Sequence, residues 1–324
     1  SADVWLCHQC SDCTAYCPRG AKPGEVLNAI RKQSIKHVAM VPFFAKIATD
    51  WKLLPVLFLI PMSIFSILLM ALGNTSLASI PRGEDGAMVY HKFVPIPAID
   101  IIFTLTFIFA VTSAFVGIKR LWNGMKAQAG EIKPGGDLKR NIIASLTQIM
   151  THTKFADCGV NRLRQFGHLF LFYSFIGLAM TTAWAVVYLY GFEFFGIEAK
   201  GMFHFGLSPF PNNDPLKILA LISSIAFALG VAIILFNRIV KAGKAGMGAY
   251  FDWIFLAIVI GVGATGMLSW YLRLANASAG YAVYYFHLVL VWSLFAYAPY
   301  SKFAHLFYRT TAMVFTKYTG RDKK

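Results

Sequence analysis

Residues 53–72 read LLPVLFLIPMSIFSILLMAL, a run with no charged side chain. About 20 apolar residues in a helix span the hydrocarbon core of a bilayer. Lipid offers no partner to an open backbone, so a run of this kind crosses as an α-helix. Five more such segments follow: Ile96–Ile118, with Asp100 near its start, Gln165–Phe192, Ile218–Asn237, Trp253–Leu272, and about Gly280–Phe307, charge-free until Lys302. A membrane β-barrel would show short alternating strands instead. The expected fold is mainly α: an N-terminal ferredoxin-like iron–sulfur segment, argued below, followed by a six-helix transmembrane bundle.

Composition agrees. The 324 residues are 57% hydrophobic and 14% charged, with a mean hydropathy of +0.58. Soluble domains are nearer 45–50% apolar and about 25% charged. A soluble enzyme, a disordered chain and a disulfide-rich secreted module are thereby disfavoured. The net charge is +15. All but five of the 30 basic residues (Arg82, Lys92, Lys200, Lys217 and Arg273) fall on one side of the expected topology. By the positive-inside rule that side is cytoplasmic and holds both termini. The charge then reflects topology, and no nucleic-acid partner is inferred.

Four of the five cysteines are Cys7, Cys10, Cys13 and Cys17, with Pro18 after the last. This is the C-x2-C-x2-C-x3-C-P run of bacterial ferredoxins. Closely spaced thiolates on a tight loop hold several corners of one 4Fe–4S cubane. A disulfide framework conflicts with a cytoplasmic location, and four cysteines at this spacing before a proline disfavour zinc. In two-cluster ferredoxins the fourth cysteine ligates the other cluster. Cys17 is therefore expected to serve a second cluster, with a first cysteine motif upstream of Ser1. The rival reading is one cluster held by all four. Cys158, in the cytoplasmic loop, reads as an ordinary thiol.

Three of the eight histidines lie in or at the ends of the apolar helices: His168, His287 and His305. Ionisable residues at membrane depth are functional candidates by default. His287 and His305 are eighteen positions apart, about five helical turns and ~27 Å along one axis. One continuous helix would place both on one face, His287 outer and His305 inner, with Pro299 between them as a potential kink. His168 begins an antiparallel helix at the depth of His305, the arrangement a bis-histidine haem b requires. His287 needs an outer partner; His204 is ranked first, ahead of His91, Met180 and a five-coordinate haem. The quinone site is less marked. Its candidates are His152, Asp157, Arg162 and Arg164 on the inner side and Asp100 and Arg273, with His204, on the outer. Residues 261–266 read GVGATG, a formal dinucleotide fingerprint, but inside an apolar helix this is a close-packing stripe.

VWLCHQCSDCTAYCPRG (residues 4–20) resembles the second cysteine motif of the small iron–sulfur subunit of heterodisulfide reductases. RQFGHLFLFYSFIGL (164–178) and YYFHLVLVWSLFAYAPYSKFAH (284–305) resemble the cytochrome b subunits of that group and of respiratory nitrate reductase. With both in one chain, the sequence resembles the fused iron–sulfur and cytochrome b component of the quinone-interacting membrane-bound oxidoreductase (Qmo) complexes of sulfate reducers. Two departures stand. The family's first cysteine motif is absent from this sequence. Gly177-Leu178-Ala179 also stands where the nitrate-reductase relative carries a further histidine, which leaves the partner of His287 open.

The resemblance implies a multi-pass subunit of a bacterial or archaeal cytoplasmic membrane rather than an enzyme alone. It implies electron transfer between the menaquinone pool and cytoplasmic flavin- and iron–sulfur-containing partner subunits, through one or two haem b groups and 4Fe–4S clusters, towards adenylylsulfate reductase. The expected domains are iron–sulfur (1–38), a linker or interfacial helix (39–52), a cytochrome b domain (53–308) with cytoplasmic loop 119–164, and a basic tail (309–324). Two other classes stay open: a haem b anchor for a different respiratory or heterodisulfide-reductase-like partner, and a haem-free iron–sulfur membrane sensor or transporter.

Overall fold

The computed structural model describes residues 2–74, 82–130, 136–152, 162–193, 214–240 and 248–321. Every regular element among them is helical. Six of the described helical segments are long and apolar enough to cross a membrane: Trp51–Ala71, Ile96–Ala129, Leu163–Gly191, Pro215–Val240, Tyr250–Leu274 and Ala279–Ala296. The six expected spans are therefore present, and a multi-pass membrane protein fits them.

The chain divides into two compact units, residues 1–155 with 248–324, and residues 156–247. The first begins with four short helices, α1 (Ala2–Leu6), α2 (Asp12–Ala15), α3 (Pro23–Val38) and α4 (Pro42–Thr49). Pro23 and Pro42 open α3 and α4; proline suits the first helical turn, where its missing N–H has no partner to lose. Next come α5 (Leu54–Ala71), α6 (Tyr90–Phe93), α7 (Ile96–Ala129) and α8 (Leu138–Thr151). The expected loop 119–164 thus contains the end of α7 and all of α8. The Asp137 carboxylate accepts from the Lys139 N–H and caps α8, while His152 ends it in the left-handed conformation, φ 51°.

The last helices of this unit are α11 (Tyr250–Leu274), α12 (Ala279–Ala296) and α13 (His305–Tyr318). (The second unit supplies α9 and α10, below.) The continuous sixth helix expected over Gly280–Phe307 is corrected here. It stops at Ala296, passes through 3-10 turns at Ala298–Tyr300 and Lys302–Ala304, and restarts at His305. Pro299 has no N–H to continue the ladder. Ser301 is extended, and its hydroxyl caps the next turn by accepting from the Phe303 N–H at 3.2 Å. The break is held by burial. Tyr300 is fully buried and donates to Ser113 Oγ on α7 at 2.9 Å. His287 and His305 therefore sit on separate helices, and the one-face, five-turn spacing between them does not hold.

α13 is a core element. Tyr308, Ala312 and Phe315 are buried, and the helix packs against α1, α7 and α8. Most of the expected basic tail is thus a buried helix. α12 lies against α5, α7 and α11. Residues 261–266 serve the last contact. A methyl on Gly261 would meet Leu290 at 2.9 Å, and one on Gly266 would meet the His287 ring at 3.0 Å.

The second unit holds α9 (Arg162–Tyr188) and α10 (Pro215–Val240). Gly167 faces Ile233, Ile234 and Gly230, while Gly177 faces Ser223 and Leu219, so the two helices run antiparallel. A methyl on Gly230 would lie 2.8 Å from the Gly167 carbonyl; small residues here let the backbones touch, as in membrane helix pairs generally. Phe175 meets Phe227 edge-on at 5.4 Å. His168, half-buried, follows the Gly167 contact.

Candidate functional site

The cysteine segment is a loop between α1 and α3, interrupted by α2. Two of its residues are left-handed, Gln9 (φ 52°) and Ser11 (φ 66°), which turns the chain sharply between Cys7 and Cys13. The Gln9 N–H donates to Cys7 Sγ at 3.3 Å, the type of amide–sulfur bond that tunes iron–sulfur sites. Cys7, Cys10 and Cys17 are half-buried, Cys13 is exposed, and none is disulfide-bonded. Among the described residues no three His, Cys, Asp or Glu side chains converge as a metal cage. The spacing leads one to expect convergence. Cys13, however, sits on α2 and is exposed.

This segment is anchored to α13. Trp5 is buried against Tyr308, ring centroids 5.1 Å apart. The Arg31 guanidinium lies 5.4 Å from the Trp5 ring and donates to the carbonyls of Val4 (2.8 Å), Trp5 (3.3 Å) and Cys7 (2.5 Å). A helix leaves its last carbonyls without partners; here one buried arginine supplies them for α1. From the other side Arg309, one turn after His305, donates to the Cys7 carbonyl at 3.2 Å and contacts the His8 ring at 2.9 Å.

Two histidines are held in a defined tautomer. His305 Nδ1 donates to the Lys302 carbonyl at 2.7 Å. A carbonyl only accepts, so in the neutral ring the proton sits on Nδ1 and Nε2 carries the lone pair. Burial pushes the His305 imidazole down to about 4, and the cations of Lys302, Arg309 and Arg31 act in the same direction. The ring is therefore neutral at physiological pH. His287 follows the same logic. The Thr265 hydroxyl donates to the Gly261 carbonyl at 2.6 Å and so accepts from His287 Nδ1 at 3.0 Å. Nδ1 bound to an acceptor with Nε2 as the lone-pair nitrogen is the arrangement that orients metal-ligating histidines. Both donor sets thus fit an axial-ligand role.

Of the other candidates, Asp100 and Arg273 each lie near a different ring of one tyrosine pair. Tyr90 stacks on Tyr284 at 4.3 Å, Asp100 is in electrostatic range of Tyr284, and Arg273 of Tyr90. The Tyr90 hydroxyl donates to the Ser269 carbonyl at 2.6 Å. His152 is 8% exposed, and burial lowers its pKa. Arg164 is half-buried on α9, in the other unit from His152. His168 belongs likewise to the second unit, whereas His287 and His305 belong to the first. His204, Cys158 and Asp157 lie outside the described residues, as does the side chain of Arg162.

Sequence reasoning missed the polar groups that organise the site. Asp252 is 4% exposed and pairs with Lys302 Nζ at 2.5 Å. Asn28, Thr265, Arg31 and Arg309 also carried no signal above topology. An acidic residue three positions into an apolar helix, as Asp252 is in α11, was the one available cue.

Citrate utilization protein B of Escherichia coli is 25% identical over 332 aligned positions, which cover 95% of this chain and 80% of that protein. No family model matches the chain, and no solved structure does.

Proposed function

We propose that this chain is the membrane electron-transfer subunit of a quinone-dependent oxidoreductase, active only in a complex. Cys7, Cys10 and Cys13 would hold a 4Fe–4S cluster, with Cys17 as its fourth ligand or as a ligand to a second. His305 and His287 would each hold a haem b through Nε2, with His168 the inner partner nominated by its depth in the sequence. Bound, these groups supply one-electron redox chemistry, while the protein sets ligation, burial and access. The observation that carries the reading is the anchoring of the cysteine loop on α13. Arg309, one turn from His305, donates to the carbonyl of Cys7.

The chain's residues perform separate tasks in this scheme. The Lys302 carbonyl and the Thr265 hydroxyl hold each imidazole in its ligating tautomer. Arg31 and Arg309 direct their N–H groups at the Cys7 turn, fixing the loop and placing positive charge beside it. Positive charge near a cluster favours its reduced form. The quinone candidates are the Asp100–Tyr284–Tyr90–Arg273 group and, on the inner side, His152, Arg162 and Arg164. The resemblance of the cysteine run and the histidine helices supports menaquinol as donor or acceptor, flavin- and iron–sulfur-containing cytoplasmic partners, and service to adenylylsulfate reductase.

The likeness to citrate utilization protein B, over most of both chains, favours a second reading. In it the same membrane unit serves an enzyme of citrate use. The soluble subunits that co-purify with the chain distinguish the two. The reading itself is tested by a reduced-minus-oxidised spectrum of the complex, a haem assay and an iron and sulfide count, followed by addition of a menaquinol analogue. Expected are haem b, at least about four irons beyond haem, consistent with one 4Fe–4S cluster, and quinol-dependent haem reduction. A complex with no haem and no cluster signal refutes the proposal.

A further inference from the structure

A continuous chain of hydrogen bonds within the first unit links the cysteine loop to the His305 turn. The Gln9 N–H donates to Cys7 Sγ at 3.3 Å. Gln9 Nε2 donates to Asn28 Oδ1 at 3.0 Å, and Asn28 Nδ2 donates to Asp252 Oδ2 at 2.8 Å. Lys302 Nζ donates to Asp252 Oδ1 at 2.5 Å. His305 Nδ1 donates to the Lys302 carbonyl at 2.7 Å. The chain crosses α3, α11 and the turn before α13, and Asp252 is its only carboxylate.

We propose that Asp252 is a positioning residue that holds the cysteine loop and the His305 turn in one register, so that a change at either is transmitted to the other. The inference rests on the electron-transfer reading for what the two places carry, but not for the network itself. The simpler role for Asp252 is to cap α11, since its carboxylate also accepts from the Ala249 N–H at 3.3 Å. A cap needs only that bond. Asp252 accepts in addition from side chains 224 and 50 residues away, and its side chain is 5% exposed. A buried carboxylate with an opposite charge and further donors is strongly coupled to each of them, because removing one partner strands the others.

Neutralising Asp252 has consequences at both ends. The Lys302 ammonium loses its counter-charge while its own carbonyl still holds the His305 ring. Asparagine keeps one acceptor oxygen where the carboxylate had two, and with the Lys302 ammonium drawing that oxygen Asn28 is left facing a donor, so that Gln9 loses a fixed partner beside Cys7. A merely structural cap would loosen the start of α11 and neither remote site.

The test uses the full chain in its complex and compares wild type with Asp252→Asn, Asp252→Glu and Asn28→Ala. Hydrogen exchange is followed over residues 7–17 and 300–309, and haem and cluster midpoint potentials by optical and EPR titration. In Asp252→Asn, exchange is expected to rise at least tenfold in both segments and both potentials to move upward, since a negative charge has been removed. Asp252→Glu should restore both readouts in large part. Asn28→Ala leaves no buried charge behind and keeps the proposal testable if Asp252→Asn fails to fold; it should loosen residues 7–17 most. The proposal is overturned if Asp252→Asn loosens only one segment or neither, or if the potentials stay in place while α11 alone opens. It is equally overturned if Asn28→Ala leaves 7–17 unchanged. If the wild-type complex holds neither haem nor cluster, the electron-transfer reading fails, and the exchange data alone decide the network.

Discussion

Replacing Trp5 with alanine should release the cysteine segment from the membrane domain without unfolding that domain. Trp5 is 2% exposed, packs on Tyr308 at 5.1 Å and lies under the Arg31 guanidinium at 5.4 Å. Truncating a buried tryptophan typically costs about 3–5 kcal/mol, and part of this loss is the aromatic pair and the cation–π contact. α1 is five residues long and has no other large buried side chain, so the loss falls on local docking. At ~1.4 kcal/mol per factor of ten, the docked state should weaken by at least about two orders of magnitude. Hydrogen exchange resolved by peptide reads this directly. Amides of residues 2–17 should exchange about 10²–10³-fold faster, while those of α5 and α12 keep their wild-type rates. Trp5→Phe should fall between. Protection of residues 2–17 within tenfold of wild type would refute the account of how the segment is held.

Gly266→Ala and Gly261→Ala should differ sharply, although each gains about 1 kcal/mol of helix propensity. The new methyl at 266 meets the His287 ring at 3.0 Å, whereas at 261 it meets the end of the flexible Leu290 side chain; on the electron-transfer proposal, in which His287 would hold a haem b, only Gly266→Ala should alter the low-temperature visible spectrum. Thr265→Val removes an acceptor from His287 Nδ1 and should lower stability by about 1 kcal/mol, with Thr265→Ser near wild type, checked by thermal unfolding in detergent. Burial depresses the pKa of His152 below its ordinary value near 6.5. The unfolded chain then takes up a proton first as pH falls, so the stability that neutral His152 contributes is present above about pH 6.5 and declines below it. The difference in melting temperature between pH 7.5 and pH 5.5 should shrink in His152→Asn.

Legibility divided along a physical line. The spans were readable because each is an apolar run of the length that lipid demands, with charge only near its ends (Asp100, Lys302), and six helices of that kind stand among the described residues, the last of them ending at Ala296. The cysteine run stands out in the sequence because ligand spacing is local, but among the described residues its side chains do not converge as a metal cage. What escaped depends on contacts distant in sequence. The break at residues 297–304 lies within an apolar stretch whose composition looks the same on either side; Pro299 signalled a kink, but the stop is completed by Ser301 capping and by Tyr300 reaching Ser113, which no local pattern encodes. Residues 309–324 read as a basic tail because Arg309, Lys317, Arg321, Lys323 and Lys324 stand out in their composition, while the burial of Tyr308, Ala312 and Phe315 in α13 arises only once α1, α7 and α8 are packed on that helix. Asp252 stands just before the fifth apolar run, outside the stretch that reads as a span. Its partners come from residues 28 and 302, and no one-dimensional pattern joins those three positions.

The docking of α1 on α13 also dictates an order of assembly. Arg309 and the Cys7 carbonyl it holds are 302 residues apart. A chain made at roughly 5–20 residues per second therefore presents its cysteines for about 15–60 s with support from α3 but none from α13. In that interval the thiols are open to any iron–sulfur carrier and to oxidants alike. The seating of this segment on α13 thus follows the making of that helix, and a ribosome that stalls before residue 309 leaves a cysteine loop held by Arg31 and Asn28 of α3 alone.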